Sequence, residues 1–295
     1  MYLSRFKSSV WFPVVVLLIA MTSIQGGAAL AKTLFSEVGA PGITALRLGL
    51  GTLILLIIFK PWRLRFSKQQ RLPLLFYGLA LGAMNYSFYL AIRTVPLGIA
   101  VALEFCGPLA LALAGSRRLS DFIWVILAVL GLWLLLPIGK GIASVDGKGA
   151  LLALLAGGFW VLYILTGPRA GADHGPATVA AGSLIGALVF VPVGLSFADS
   201  GLWHPGIIPI GIAIAILSSA LPYSLEMMAL TRLPARVFGT LMSLEPGMAA
   251  LSGMVFLGEM LNGLQWLGLL AIISASIGST LTAQRKKAVV EPLSQ

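Results

Sequence analysis

Residues 99–115 read IAVALEFCGPLALALAG, a run that is apolar or small throughout except for one carboxylate, Glu104. What an ionisable group does in such a run depends on the solvent around it. Composition identifies that solvent. Of 295 residues, 58% are hydrophobic and only 10% charged, and the mean hydropathy is +0.98. A soluble domain needs roughly 25% charged residues to cover its surface. The chain therefore reads as an integral membrane protein, with no polar stretch long enough to build a soluble domain.

The formal charge of +10 does not point to nucleic acid. The basic residues sit in short loops between apolar runs, and no basic stripe is interleaved with aromatics. One cysteine, Cys106, excludes an internal disulfide. The histidines, His174 and His204, fall in connecting segments without metal-ligand spacing. The opening segment has the basic start and small-residue site of a signal peptide. Its apolar stretch from Val10 to Ala31, however, is long enough to span a bilayer.

Hydropathy predicts ten spans, near 10–32, 42–59, 73–92, 96–114, 121–138, 149–167, 176–195, 206–229, 236–257 and 263–283. Each approaches the ~20 residues that cross ~30 Å of hydrocarbon. With the N-terminus inside, fifteen Lys and Arg residues fall in internal segments and four in external ones, leaving Arg47 within a span. That asymmetry puts both termini in the cytoplasm. The halves also match. At an offset of 135, Pro41, Ala45 and Gly51 fall on Pro176, Ala180 and Gly186; at 138, Ala91, Pro96 and Pro108 fall on Ala229, Pro234 and Pro246.

The expected fold is thus all-α: ten transmembrane helices as two inverted five-helix repeats. Residues 1–145 form the first repeat, 146–285 the second, and 286–295 a short cytoplasmic tail. Five spans per copy means that the second copy enters from the opposite face, the plan of many secondary transporters, with a substrate site near the midplane. Pro108 and Pro246 interrupt the fourth and ninth spans at matching positions. Small-xxx-small spacings at Gly78 and Gly82, Gly182 and Gly186, and Ser274 and Gly278 suit close helix packing.

In this frame Glu104 lies near mid-bilayer, where an ionised side chain costs at least ~2.5–3.5 kcal/mol and must face the bundle interior or a wet cavity. Glu245 lies near the middle of the ninth span, Glu226 in the inner half of the eighth, and Arg47 within the second. Uncharged polar candidates are Gln25, Asn85, Tyr86, Tyr89, Tyr163 and Tyr223. Structural roles compete with functional ones. Glu104 or Glu245 is available to pair with Arg47, Glu226 with Arg232 or Arg236, and Gln25 and Asn85 to tie helices by hydrogen bonds. Glu259 reads as a loop charge. No aspartate lies inside a span, neither histidine does, and no phosphate-binding loop is present. The reading is a transporter rather than an enzyme, with no cofactor and no metal.

The stretches SIQGGAALAK, ITALRLGLGTLIL, KPWRLRFSKQQRLPLLFYG, TVPLGIAVALEFCGP, HGPATVA and LPYSLEMMALTRLPARVFGTLMSLEP resemble the drug/metabolite transporter superfamily. The likeness is to its ten-span EamA-type exporters, in the branch of bacterial inner-membrane exporters of threonine and homoserine, and it runs from about Trp11 to Thr282. The resemblance implies a multi-pass protein of the cell inner membrane that exports threonine, homoserine and related small amino acids in exchange for protons. As alternatives, the superfamily resemblance permits export of another metabolite or drug, and a passive facilitator follows if the acidic groups serve only as structural ties. The resemblance carries no ligand contact residue by residue. The candidate pathway therefore rests on burial alone: Glu104, Glu245, Arg47, Gln25, Asn85, Tyr86, Tyr163, Tyr223 and Glu226. A zwitterionic substrate needs an anion, a cation and a polar partner, and these residues supply all three.

Overall fold

A computed structural model describes residues 11–114, 119–135, 146–171, 174, 176–230, 233, 238 and 241–290. The described elements are helical: α1 (Trp11–Thr33), α2 (Phe35–Phe59), α3 (Lys68–Ala91), α4 (Leu97–Ala114), α5 (Leu119–Leu135), α6 (Gly147–Gly171), α7 (Pro176–Ser196), α8 (Ile207–Ala215), α9 (Leu221–Leu230), α10 (Glu245–Leu257) and α11 (Gly263–Val290), with short 3₁₀ turns. Five of these, α1, α2, α3, α6 and α7, are long and apolar enough to cross a membrane, and shorter apolar helices accompany them. The protein is an all-α, multi-pass membrane bundle. The start of the expected ninth span, with Arg232 and Arg236, lies outside the described residues, as do the first ten residues and the last five.

Local chemistry sets the helix ends. Ser67 and Gln70 form a capping box at the start of α3, the Ser67 amide donating to Gln70 Oε1 at 2.9 Å. At the start of α6 the exposed Asp146 carboxylate accepts from the Gly149 amide at 2.9 Å and the Thr94 hydroxyl at 2.9 Å. Those two bonds, the amide first, hold its carboxyl below the usual carboxylate range. In α2, Gly39 adopts φ 75° and kinks the helix; a Cβ there would also meet Asp199 Oδ2 at 2.7 Å.

Two spans read as continuous in the sequence are not. Between α8 and α9 the chain widens into a π turn, Ile216–Ala220. The cause is Pro222, which has no N–H to offer the carbonyls one turn back. Side chains from other helices take over: Ser23 Oγ donates to Leu217 O at 2.7 Å, and Arg47 Nη2 to Ser218 O at 2.8 Å. The ninth span is broken too. Glu245 and Pro246 open α10 after a turn at Ser243 and Leu244, so Glu245 stands at a helix start rather than mid-helix. Proline is at home there, because its missing N–H would have no intrahelical partner.

Contacts run mainly between the two halves of the sequence: α3 on α6 and α7, α4 on α6 and α10, α5 on α11, α1 on α9 and α10, and α2 on α7 and α8. Glycines permit these approaches. A Cβ on Gly78 would lie 2.6 Å from Gly182 O, and one on Gly82 2.9 Å from Gly186 Cα. Two of the three small-residue pairs picked out in the sequence therefore pack on each other. Gly131 and Gly268 do the same between α5 and α11, each Cβ falling 2.8 Å from the other's carbonyl oxygen. Tightest is α4 on α6, where a Cβ on Gly107 would strike the Gly157 carbonyl and one on Gly157 the Glu104 carbonyl.

At the end of the bundle where α1 stops and α4 begins, Lys32 Nζ donates to Glu259 Oε1 at 2.6 Å and to Val95 O at 2.9 Å, while Glu259 Oε2 accepts from the Leu97 amide at 2.7 Å. Glu259 is a loop charge, as read from the sequence, and it clasps three segments. It satisfies the orphan N–H of α4 with a charge-assisted bond.

The α4–α6 contact gives a sharp test. Gly157→Leu drives a side chain into backbone and should cost about 1–3 kcal/mol or more, lowering the yield of monodisperse protein in detergent. The adjacent Gly158, with nothing within 4 Å of its Cβ position, should accept Leu with normal yield. Equal yields for the two variants would contradict the packing.

Candidate functional site

A cavity of about 490 Å³ lies inside the bundle, within the ~300–1,000 Å³ typical of small-molecule sites. Seven of the nine candidate residues line it: Gln25, Arg47, Asn85, Glu104, Tyr163, Glu226 and Glu245. Hydropathy isolated each as a polar interruption; the fold brings them together from α1, α2, α3, α4, α6, α9 and α10. Tyr86 does not line the cavity, and its ring lies 5.8 Å from that of Phe190. The Tyr223 side chain lies outside the described residues.

Arg47 is 4% exposed. Its Nε donates to Ser218 Oγ at 2.7 Å, Nη2 to Ser218 O at 2.8 Å, and Nη1 to Asn85 Oδ1. The guanidinium carbon lies 5.1 Å from the Tyr89 ring centroid, within cation–π range. Asn85 is itself fixed, its Nδ2 donating to Leu81 O at 2.8 Å. Ser218 Oγ donates to Ile214 O at 2.6 Å, which leaves its lone pairs for Arg47. The ion pair with Glu104 or Glu245 that the sequence allowed is not formed. Among the described residues the ion pair is Lys32 with Glu259.

The carboxylates are held very differently. Glu245, 7% exposed, accepts one bond, from Gln25 Nε2 to Oε1 at 3.3 Å; its Oε2 is buried with no partner. Glu104 is 9% exposed, and its side chain makes no hydrogen bond among the described residues. Its backbone, by contrast, is clamped against Gly157, so the carboxyl is presented from a rigid helix segment. Glu226 is half-buried and likewise without a hydrogen bond among the described residues. Glu104 lies within electrostatic reach of Glu245 and Arg47, and Glu226 of Glu245.

Apolar and aromatic groups complete the walls. Phe105 and Trp160 meet edge to face at 5.6 Å, and Tyr163 stacks on Tyr77 at 4.6 Å. Gln25 and Asn85 tie helices as the structural reading held, and they also face the cavity. Sequence reasoning missed Ser218. The available signal was Pro222 four residues on, inside an apolar run, which marks orphaned carbonyls that a polar group must satisfy. Among the described residues, no cluster of His, Cys, Asp and Glu is arranged to hold a metal ion. The arrangement instead offers a buried, acid-rich chamber able to bind a small cationic or zwitterionic solute and to take up protons.

Known proteins resemble this chain in sequence and fold. Residues 147–281 match the EamA-like transporter family. The threonine/homoserine exporter RhtA of Salmonella typhimurium is 70% identical over 280 residues, 95% of each chain. The RhtA of Escherichia coli K12 is 67% identical over 285 residues, 97% of each. One crystal structure, 20% identical, covers 91% of this chain and 99% of its own with a TM-score of 0.59, so the helical fold recurs at low identity. With identities this high running along nearly its whole length, the chain belongs to the EamA-like transporter family, in the group of the RhtA exporters.

Proposed function

We propose that this protein is a secondary transporter of the inner membrane that exports threonine, homoserine and related small amino acids from the cytoplasm in exchange for protons. The observation that carries the reading is an internal cavity on which three glutamates and one arginine converge, in a chain 67–70% identical to exporters of those two amino acids. A proton and a substrate ammonium compete for the same carboxylate, and that competition is the physical basis of exchange. Glu104, without a side-chain hydrogen bond among the described residues and rigid through its backbone, is the group that alternates between them. Tyr163 and Gln25 supply polar contacts for the substrate hydroxyl.

The ten-span arrangement with two inverted repeats, divided near residues 145 and 146, belongs to the same reading. The pattern of helix contacts supports it. Exchanging the halves (α1 for α6, α2 for α7, α3 for α8 and α9, α4 for α10) turns the α3–α6 contact into α1–α9 and the α4–α6 contact into α1–α10, and both pairs pack. With cytoplasmic termini, the Lys32–Glu259 clasp closes the external end. Glu104 follows Leu97 of that clasp by roughly 10 Å at 1.5 Å per residue, which puts the cavity on its cytoplasmic side.

Inverted membrane vesicles containing the protein should accumulate labelled threonine and homoserine when a proton gradient is imposed, and should lose accumulation when it is collapsed. Accumulation indifferent to the gradient would replace antiport by facilitation. Glu104→Gln should fold normally yet bring gradient-driven uptake down to that of vesicles lacking the protein; full activity would remove Glu104 from the mechanism. Single cysteines placed in a Cys106→Ser background should label from the cytoplasmic face at 65 and 169, and from the outside at 93 and 148. Any inversion of that pattern would refute the topology.

A further inference from the structure

The cavity's inventory of charges and hydrogen bonds is lopsided, and this bears on which part of the substrate is recognised. Both features that would welcome an anion are partly engaged or already carry an acid. Arg47 spends three of its five N–H groups, one each on Nε, Nη1 and Nη2, on Ser218 and Asn85, and its guanidinium carbon lies over the Tyr89 ring. The N-terminus of α10, whose dipole favours negative charge, begins with Glu245, so that end already carries an acid. The acceptors are nearly all free. Glu104 and Glu226 make no side-chain hydrogen bond among the described residues, and Glu245 Oε2 is buried without a partner.

Among the described lining residues an entering carboxylate would meet three acids and one base with three of its five N–H groups engaged. An entering ammonium, with three donors, would find the partners that these oxygens lack. We infer that the site selects its ligand by the ammonium and not by the carboxylate, so that small hydroxylated primary amines lacking a carboxyl group are also ligands. This inference rests on the proposed amino-acid pathway through the same cavity, and it extends the substrate class from amino acids to amino alcohols.

Two analogues of threonine separate the two ends of the molecule. L-threoninol keeps the ammonium and both carbons around it but replaces the carboxylate by a hydroxymethyl group; 3-hydroxybutanoate keeps the carboxylate and the hydroxyl and lacks the amine. Binding of each to the purified full-length protein in detergent, measured by calorimetry beside threonine, should give threoninol a Kd within about tenfold of threonine, a difference of up to about 1.4 kcal/mol. No binding of 3-hydroxybutanoate is expected. Glu245→Gln, checked for monodispersity, should weaken threoninol by about tenfold or more, as loss of a charge-assisted contact requires.

Failure of threoninol to bind, or equal binding of the two analogues, would overturn the inference. Threonine uptake into vesicles is measured separately. Threoninol binding without threonine transport would leave ammonium selection standing and remove the proposed export function, so the two failures are distinguishable.

Discussion

The rest of the bundle depends on the burial of one guanidinium. Arg47 is always charged and here is removed from water, so every N–H it turns inward must find a protein acceptor. It finds them on α3 and on the π turn between α8 and α9. That turn is available because Pro222 withholds the amide that would otherwise have served it. A proline on one helix and an arginine on another thus solve each other's problem. In doing so they lock α2, α3 and the turn between α8 and α9 into one arrangement beside the cavity.

Two packing features hold the remaining walls at the required distance. Glycines at the α4–α6, α3–α7 and α5–α11 crossings let backbones touch. This contributes dispersion in a setting where lipid is as apolar as any side chain, so that no hydrophobic force joins the helices. The Lys32–Glu259 clasp then fixes where α4 starts. Glu104 is positioned by both, through the clasp seven residues before it and through the Gly157 contact at its own carbonyl. Its side chain is left out of this scaffold. In the proposed mechanism the group that exchanges partners is thus not one that holds helices together.

Much of this was legible beforehand because hydrocarbon imposes simple rules. Charged residues are rare in spans and face inward, which singled out Glu104, Glu226, Glu245 and Arg47. Small residues four apart mark close crossings, which singled out Gly78 and Gly82 and their counterparts Gly182 and Gly186. The misses share a cause as well. Glu259 was discounted because a charge at a helix end looks solvated in sequence, and for Arg47 the alternative weighed was an acidic partner, because opposite charges attract. Neither partner choice is encoded locally. Ser218 lies 171 residues from Arg47 and Lys32 lies 227 from Glu259, so only the folded chain could name them.

The sequence by itself determined the solvent, the helical class and the short set of polar residues that lipid would not tolerate. Each of these follows from transfer free energies that act residue by residue. Which of those residues are mutually satisfied and which keep an unused oxygen toward the cavity was decided by tertiary structure alone. A hydrogen bond depends on distances of about 3 Å between groups on different helices, and no spacing along one strand of sequence fixes them.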